Sequence, residues 1–279
     1  MDIKLNILAD NIVTKSGFIA EHGLSVLIET PEGDFLLDTG QGMVFEHNAK
    51  LLGLNLDRIK DVILSHGHYD HAGGIKNLAM TRKINLFAHN MAKRKRFKLI
   101  ERGKYKSIGI DWLDDQTVEK NINWVLSDKP HYLSDNILLS GQIPRQIDFE
   151  KPPAHFYFLD DNNKYIKDTV PDDQSVFINT PKGLIIITGC AHSGLINSIM
   201  YAKKLFKTDK ILAVVGGTHL LNATDEKIDK TISAIIDLKV EELYAGHCTG
   251  LRSMHIFYNR LKNRFHSTEV GQQIIWQNI

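Results

Sequence analysis

The segment Ser65–His71 constrains this chain most, because it places three histidines and one aspartate within six consecutive positions. It continues the apolar run Val62–Ser65, which predicts a short buried strand. Neutral imidazole is the commonest protein ligand of zinc-like metals, and carboxylate is another usual donor. A single histidine is more simply explained as a packed or solvent-exposed residue, but four donors after one strand predict a metal site. Gly67, Gly73 and Gly74 allow the backbone to curl closely around it.

Three later apolar runs also end in histidine or cysteine. Cys190 and His192 follow the first of these runs, His219 follows the second, and His247 follows the third. In an α/β sheet, ligands bind beyond the carboxyl ends of the strands. Each of these residues taken alone is equally well explained by packing. Together they predict further donors to the site that the histidine-rich segment begins.

Short apolar runs alternate with helical patterns along most of the chain, which indicates the α/β class. No fixed-period repeat and no linker rich in proline, glycine or serine divides the 279 residues. The sequence therefore predicts one domain over residues 1–279, with an irregular insertion at about 90–170. Ser193 and Thr224 are the predicted N-caps of two helices. The predicted strands are Ser25–Glu29, Phe35–Asp38, Val62–Ser65, Ile84–Ala88, Ser175–Asn179, Leu184–Thr188 and Ile211–Val215.

Charge and composition argue against several classes of protein. The 34 basic and 33 acidic residues give a net charge of +1, which is not typical of a general polyanion binder. The basic run Lys93–Arg96 is interpreted as a solvated helix and loop, so nucleic acid is not the expected partner. The chain has only two cysteines and no long apolar stretch. We therefore expect a cytoplasmic protein in a reducing compartment that does not enter a membrane.

The histidine-rich segment resembles the His-x-His-x-Asp-His signature of the metallo-β-lactamase-fold superfamily. The four donors at the signature positions are His66, His68, Asp70 and His71. Leu36–Gly40 resembles the first aspartate motif of that superfamily, and Ala245–His247 resembles its last Gly-His motif. This resemblance implies a four-layer αββα sandwich of the metallo-β-lactamase type, with metal ions in a cleft at one edge of the two sheets.

Further motifs resemble one subgroup, that of the 7,8-dihydropterin-6-methyl-4-(β-D-ribofuranosyl)aminobenzene-5′-phosphate synthase-like proteins. These motifs are Glu21–Ser25, Ser65–His71, Gly141–Arg145, Thr188–Gly194, Gly217–Leu220 and Gly246–Gly250. Besides hydrolysis, the resemblance to the subgroup implies a second possible reaction. In that reaction a metal activates a pyrophosphate leaving group while a dihydropterin group is transferred.

The resemblance also implies a ligand set for two divalent metal ions, with zinc expected first and manganese, iron or magnesium as alternatives. The implied ligands are His66, His68 and His192 for the first ion, and Asp70, His71 and His247 for the second. Asp38 is implied to lie behind these ligands and to orient the histidine loop.

One position departs from the superfamily pattern. Many members have Thr-Gly-Asp where this chain has Thr188, Gly189 and Cys190, and that aspartate bridges both metals. Either Cys190 replaces the bridging ligand or His192 reaches in instead, and the number and identity of the ions depend on which. A thiolate ligand favours a softer metal such as zinc.

The sequence thus predicts a metal-dependent hydrolase or transferase that acts on a small anionic, phosphorylated substrate through activated water or a polarised leaving group. Asp70 and His219 are the predicted catalytic residues, although His219 has no place in the general family pattern and is alternatively an extra ligand. Arg145, His22 and His89 are the predicted substrate contacts, since an arginine fork suits phosphate or carboxylate. A surface salt bridge is the alternative for Arg145. A nuclease of the same fold and an iron-binding redox protein are the alternative functions, and a homodimer is compatible with the resemblance.

Overall fold

The computed structural model describes residues 2–160 and 162–279. Its strands are β1 (Ile3–Ala9), β2 (Ser25–Thr30), β3 (Gly33–Leu37), β4 (Asp61–Ile63), β5 (Ile84–Ala88), β6 (Arg96–Glu101), β7 (Lys104–Ser107), β8 (Ile122–Leu126), β9 (His131–Tyr132), β10 (Ile137–Leu139), β11 (Phe156–Leu159), β12 (Tyr165–Lys167), β13 (Ser175–Thr180), β14 (Gly183–Thr188), β15 (Ile211–Gly217), β16 (Glu242–Gly246), β17 (Phe265–Ser267) and β18 (Gln273–Trp276). Its α-helices are α1 (Phe45–Leu51), α2 (Tyr69–Ala72), α3 (Ile75–Thr81), α4 (Gln116–Glu119), α5 (Leu195–Phe206), α6 (Asp225–Asp237) and α7 (Leu251–Leu261). Across these described ranges, no helix combines the length and the apolar character needed to cross a membrane.

Two seven-stranded sheets form the body of the molecule. The first sheet has the order β18-β1-β2-β3-β4-β5-β8, and the second has the order β17-β16-β15-β14-β13-β10-β9. In the first sheet β3, β4, β5 and β8 run parallel, and in the second β14 to β17 run parallel. Parallel neighbours end at the same edge of a sheet, so each sheet gathers several strand ends at one side of the molecule.

Successive side chains of a strand point to opposite faces of its sheet, and apolar residues at both kinds of position form an apolar layer on each face. Leu37 and Ile63 face the layer between the two sheets, whereas Leu36 and Val62 face helices on the outside of the first sheet. The second sheet is covered by α5, α6 and α7 in the same way. Strand β14 is buried at all six positions, as expected for a central strand with a covered layer on either face. The predicted four-layer αββα sandwich is confirmed.

The stretch 90–170 is more regular than predicted. Strand β8 extends the first sheet, β9 and β10 extend the second, and the remaining four strands form a third sheet in the order β12-β11-β6-β7. The expectation of an irregular insertion is therefore wrong for most of this stretch. Residues of β7 and β12 are mainly exposed, so these strands lack the apolar alternation that would have revealed them. Phe156 of β11 is buried and points towards the histidines, with its ring centroid 5.1 Å from that of His68.

The two predicted helix caps have different outcomes. Thr224 caps α6 as predicted, because its hydroxyl accepts the backbone N–H of Lys227. The prediction for Ser193 is wrong by one residue, since Gly194, with φ of +103°, is the N-cap of α5 and has no side chain to offer. The buried carboxylate of Glu150 instead accepts the N–H groups of the second and third residues of α5, at 2.8 Å each. A distant carboxylate thus replaces a local cap, which a sequence pattern cannot show.

Candidate metal centre

The predicted donors meet where strand ends of the two sheets face each other. His66 and His68 lie in the loop after β4, and Asp70 and His71 lie in α2, which follows that loop. The remaining donors follow three adjacent parallel strands of the second sheet, β14, β15 and β16. They are Cys190, His192, His219 and His247. The structure therefore brings together donors from both halves of the sandwich.

His66, His68 and His192, here called the first donor group, converge through three ring nitrogens. His66 Nε2 lies 2.9 Å from His68 Nδ1 and 3.1 Å from His192 Nε2. All three rings are buried. These are the three residues that the resemblance implies for the first ion.

Asp70, His71 and His247, here called the second donor group, converge beside the first. His71 Nε2 lies 3.2 Å from His247 Nε2. Asp70 Oδ2 lies 3.9 Å from His71 Nε2 and 3.7 Å from His247 Nε2. The implied second ligand set is thus also assembled around one point.

Cys190 lies between the two donor groups. Its Sγ is 3.2 Å from His71 Nε2 and 3.3 Å from His247 Nε2. It also lies within 4.8 Å of ligand atoms of His66 and, in another combination, of His192. The sequence left open whether Cys190 replaces the bridging ligand or His192 reaches in instead. The geometry is compatible with both, because Cys190 lies between the two donor groups and His192 belongs to the first donor group. Burial raises the pKa of the Cys190 thiol, so the sulfur is protonated at neutral pH when no cation is near.

Asp38 and Ser65 fix which nitrogen of two histidines faces the centre. The buried Asp38 carboxylate accepts the Ser65 N–H at 2.7 Å, the Ser65 hydroxyl at 2.6 Å and the His71 Nδ1–H at 2.7 Å. Because the Ser65 hydroxyl donates to Asp38, its oxygen accepts from His66 Nδ1, 2.9 Å away. Both histidines therefore carry a proton on Nδ1 and turn Nε2 towards the other donors. This is the orienting contact that the resemblance implied for Asp38.

These contacts leave the unprotonated Nε2 of His66 facing two other ring nitrogens in a buried space, which fits a cation. Burial lowers the pKa of His66 and His192 well below 6.5 and that of His68 to about 3, so the first donor group is neutral at pH 7. With Nδ1 of His66 committed to Ser65, its Nε2 is a lone pair only 2.9–3.1 Å from two other ring nitrogens. Three imidazoles and a nearby thiol form a donor set that suits zinc.

The second donor group is charged in the metal-free protein. Burial alone would lower the pKa of His71, but the charges of Asp38 and Asp70 outweigh it and raise that pKa to about 9. Burial would also raise the pKa of Asp70, yet His71, His22 and His247 hold it below its ordinary range. Binding of a cation in this group would therefore release a proton.

The predicted catalytic residue His219 lies beside the first donor group. Its ring centroid is 4.2 Å from that of His192, and its Nδ1 is buried without a hydrogen-bond partner among the described residues. Its φ of +52° is a left-handed conformation that a non-glycine residue rarely adopts. The backbone N–H of His219 donates to Cys248 Sγ at 3.3 Å, which holds this conformation.

The three predicted substrate contacts occupy different places. His22 is half-exposed at the second donor group, with Nε2 3.3 Å from Asp70 Oδ2. The Arg145 guanidinium donates to the backbone carbonyls of His192 and Thr169, so it supports the loop that carries His192. His89 lies outside both donor groups, is 2% exposed, and accepts the Met91 N–H at 3.0 Å. Its burial argues against direct contact with a substrate.

Residues that the sequence reasoning missed hold the donor loops from behind. Asp172 accepts the Gly67 N–H at 2.8 Å and the Arg96 guanidinium at 2.6 Å. Arg96 is 1% exposed, so the interpretation of Lys93–Arg96 as a solvated helix and loop is wrong for this residue, which begins β6. A buried arginine needs a buried carboxylate as its counter-charge. In the sequence, the pair Asp172–Asp173, just after the stretch 90–170, could have indicated such a carboxylate.

Asp10 and Asn11 were also missed, although they follow β1 directly. Asp10 Oδ1 accepts the His247 N–H at 3.1 Å, and Asn11 Oδ1 lies 2.9 Å from His247 Nδ1. Two polar residues directly after an apolar strand could have indicated site residues, because the histidines also follow the ends of apolar strands.

Comparison with known proteins agrees with the fold. A family model of the metallo-beta-lactamase superfamily matches residues 19–247. The chain is 33% identical to the 7,8-dihydropterin-6-methyl-4-(beta-D-ribofuranosyl)-aminobenzene-5'-phosphate synthase of Methanocaldococcus jannaschii, over 98% of this chain and 96% of that protein. It is 32% identical to an uncharacterized protein of the same organism, over 90% of this chain and 92% of that protein.

Among solved structures, the chain is similar to Tm1679, a metal-dependent hydrolase of the beta-lactamase superfamily. The TM-score is 0.84, the identity is 30%, and the match covers 98% of both chains. The resemblance stated from the motifs is thus confirmed over nearly the whole sequence. The chain is an enzyme that belongs to the metallo-beta-lactamase superfamily, whose fold implies the binding of divalent metal.

Proposed function

We propose that this enzyme is a hydrolase or transferase that holds two divalent ions, zinc foremost, and acts on a small anionic substrate. One observation carries the proposal: His66 and His71 are fixed by Asp38 and Ser65 so that their Nε2 atoms face the other donors. Such outer partners orient ligands and raise their basicity.

His66, His68 and His192 would hold the first ion, and Asp70, His71 and His247 the second, with Cys190 between them. A divalent ion in either place would supply a Lewis acid for a phosphoryl or carbonyl oxygen and lower the pKa of a water molecule. The ionised Asp70 carboxylate contacts the second donor group through Oδ2 and would accept a proton there if it bound the second ion through a single oxygen.

A small pocket beside the first donor group carries two ammonium groups that would suit an anionic substrate. Lys151 and Lys227 line it with His192 and His219, and the Glu150 carboxylate and the side chains of Leu195 and Leu220 also belong to the lining. Lys227 is half-buried, and burial lowers its pKa, so its ammonium lacks the full hydration that an exposed lysine has. A substrate phosphate or carboxylate at the mouth of this pocket would add a second counter-charge to that of Glu150, which already faces Lys227.

The relative from Methanocaldococcus jannaschii is a synthase whose product carries a 5′-phosphate. This name supports a phosphorylated substrate and keeps group transfer beside hydrolysis. We propose a phosphate ester or diphosphate as the substrate class. Water would be the acceptor in hydrolysis, and a second organic molecule would be the acceptor in transfer.

The first experiment measures metal content by elemental analysis of protein purified without chelator, followed by a screen of phosphate esters and diphosphates. Alanine at His66 or His71 should reduce the metal content and abolish the activity found. Alanine at the exposed His255 of α7 is the matched control and should change neither. Full metal content and full activity in both site variants would refute the proposal, and iron in place of zinc would favour the redox alternative.

The anionic pocket has its own test once a substrate is found. Lys227→Met should raise KM by about tenfold with little change in kcat, as expected when ground-state binding is lost. Lys230→Met on the same helix is the control, because Lys230 is exposed and pairs with Glu226. An unchanged KM in Lys227→Met would place the anionic group elsewhere.

A further inference from the structure

Asn11 contacts two histidines of the site with the two ends of one amide. Its Oδ1 lies 2.9 Å from His247 Nδ1, and its Nδ2 lies 3.0 Å from His22 Nδ1. The same Oδ1 accepts the backbone N–H of Gly23 at 3.2 Å. No other described side chain contacts both rings through hydrogen bonds in this way.

The Gly23 contact determines which end of the amide is oxygen. A backbone N–H can only donate, so the atom that faces it must be the carbonyl oxygen of Asn11. The reversed amide would place an NH2 group against both the Gly23 N–H and His247. The NH2 group of Asn11 therefore faces His22.

The two rings must consequently carry their protons on different nitrogens. A carbonyl oxygen only accepts, so His247 Nδ1 carries a proton and His247 Nε2 is a lone pair directed at the second donor group. An amide NH2 only donates, so His22 Nδ1 is a lone pair and the neutral His22 ring carries its proton on Nε2. That Nε2–H lies 3.3 Å from Asp70 Oδ2 and donates to it.

We propose that Asn11 is a positioning residue that makes His247 a metal ligand and His22 a hydrogen-bond donor to Asp70. The assignment excludes His22 as a ligand, even though donor atoms of His22, Asp70 and His247 lie within 4.8 Å of one another. By donating to Oδ2, His22 restrains the carboxylate of Asp70 at the half-exposed mouth of the centre. The part that concerns metal rests on the proposed function, whereas the proton positions do not.

Aspartate at position 11 should change the protons of one ring and leave the other unchanged. A carboxylate accepts at both oxygens, so His247 Nδ1 would still donate to it. His22 would then lie between two carboxylates and would carry a proton on each nitrogen, donating Nδ1–H to position 11 and Nε2–H to Asp70. Asn11→Asp therefore separates this proposal from a general structural role of Asn11, which predicts no selective change in the proton position of one ring.

The test uses the full-length protein labelled with 15N-histidine and long-range 1H–15N NMR spectra, which distinguish the two neutral forms of each ring. In the metal-free wild type, His247 should be the Nδ1–H form and His22 the Nε2–H form. In Asn11→Asp, only His22 should change. Asn222→Asp, at an exposed position of a loop, is the matched control and should change neither ring. An Nδ1–H form of His22 in the wild type would overturn the proposal, as would an unchanged His22 in Asn11→Asp.

A zinc titration tests the roles of the two rings. His22→Gln keeps an N–H donor for Asp70 and should bind two ions as the wild type does, whereas His247→Gln should lose the second. Loss of the second ion in both variants would make His22 a ligand and overturn the assignment. If the wild type itself binds no metal, the proposed function fails, while the NMR result still decides the proton positions.

Discussion

Replacement of Asp38 by asparagine tests whether the Asp38 carboxylate determines which ring nitrogen of His71 carries the proton. The carboxylate accepts three hydrogen bonds, from Ser65 N, Ser65 Oγ and His71 Nδ1. An amide has one accepting end and one donating end. If its oxygen faces the Ser65 N–H, its NH2 faces His71 Nδ1, so the neutral ring keeps its single proton on Nε2. With Asp38 in place, the ring instead keeps the proton on Nδ1 and can release the one on Nε2 to a cation. If it is reversed, NH2 meets the Ser65 N–H, and that bond is lost.

The expected magnitude follows from these contacts. A proton on His71 Nε2 blocks the nitrogen that faces the second donor group, and loss of such an outer partner typically weakens metal binding about 10- to 100-fold, or about 1.4 to 2.7 kcal/mol. The metal-free protein should also lose about 1.5–3 kcal/mol of unfolding free energy, because a buried hydrogen bond to a charged group is broken. Backbone strain adds nothing, since Asp38 has φ of +57°, which asparagine tolerates as well as aspartate.

The assay is a competition between the protein and a zinc indicator of known affinity, with urea unfolding of the metal-free protein beside it. Asp34→Asn is the matched control, because Asp34 lies in β3, the strand that ends just before Asp38, but pairs with Arg58 at the surface. The control should keep wild-type zinc affinity. If folded Asp38→Asn binds the same number of zinc ions with the same affinity as the wild type, the reasoning about proton positions is refuted.

Three further predictions follow. Arg96→Met should lower the free energy of unfolding by about 3–5 kcal/mol in urea titrations, because Asp168 and Asp172 then remain buried without their counter-charge, and a loss below 1 kcal/mol would contradict the pairing. Burial raises the pKa of Glu150 above 4.5, so the carboxyl stabilises the fold most below pH 4.5 and this contribution is lost as pH rises through the folded pKa. The stability difference between wild type and Glu150→Gln should therefore shrink as the pH rises above 4.5 through the folded pKa, and a difference that grows with pH would contradict this sign. Chelation should lower Tm, re-addition of zinc should restore it in proportion to zinc concentration, and a Tm indifferent to both would argue against binding to the folded state.

Local rules in the sequence predicted the α/β class and the meeting of the main donors, whereas the resemblance to the superfamily implied the four-layer sandwich. Apolar runs marked the central strands, and the carboxyl ends of parallel strands share an edge, so His66, His192 and His247 were expected together. The small third sheet was not predicted because its strands are short and two of them, β7 and β12, are mainly exposed, without a periodic pattern.

The residues that form hydrogen bonds to the donor loops were not predicted for a different reason. Asn11 contacts His247 across 236 positions, and Asp172 contacts Gly67 across 105. Such residues can be recognised only from the contacts in the folded structure. A single asparagine or aspartate has no local sequence pattern that would predict a contact so distant along the chain.

The position of the first and last strands determines when the centre can exist during synthesis. Strand β18 pairs with β1, Thr268 donates to Asp10, and Asp10 in turn holds the backbone of His247. A chain still emerging from the ribosome therefore presents Ser65–His71 long before its other ligands are in place. The two donor groups can therefore be assembled only after β18 has been made, and a chain that stops before it would present an incomplete set of imidazoles and thiols.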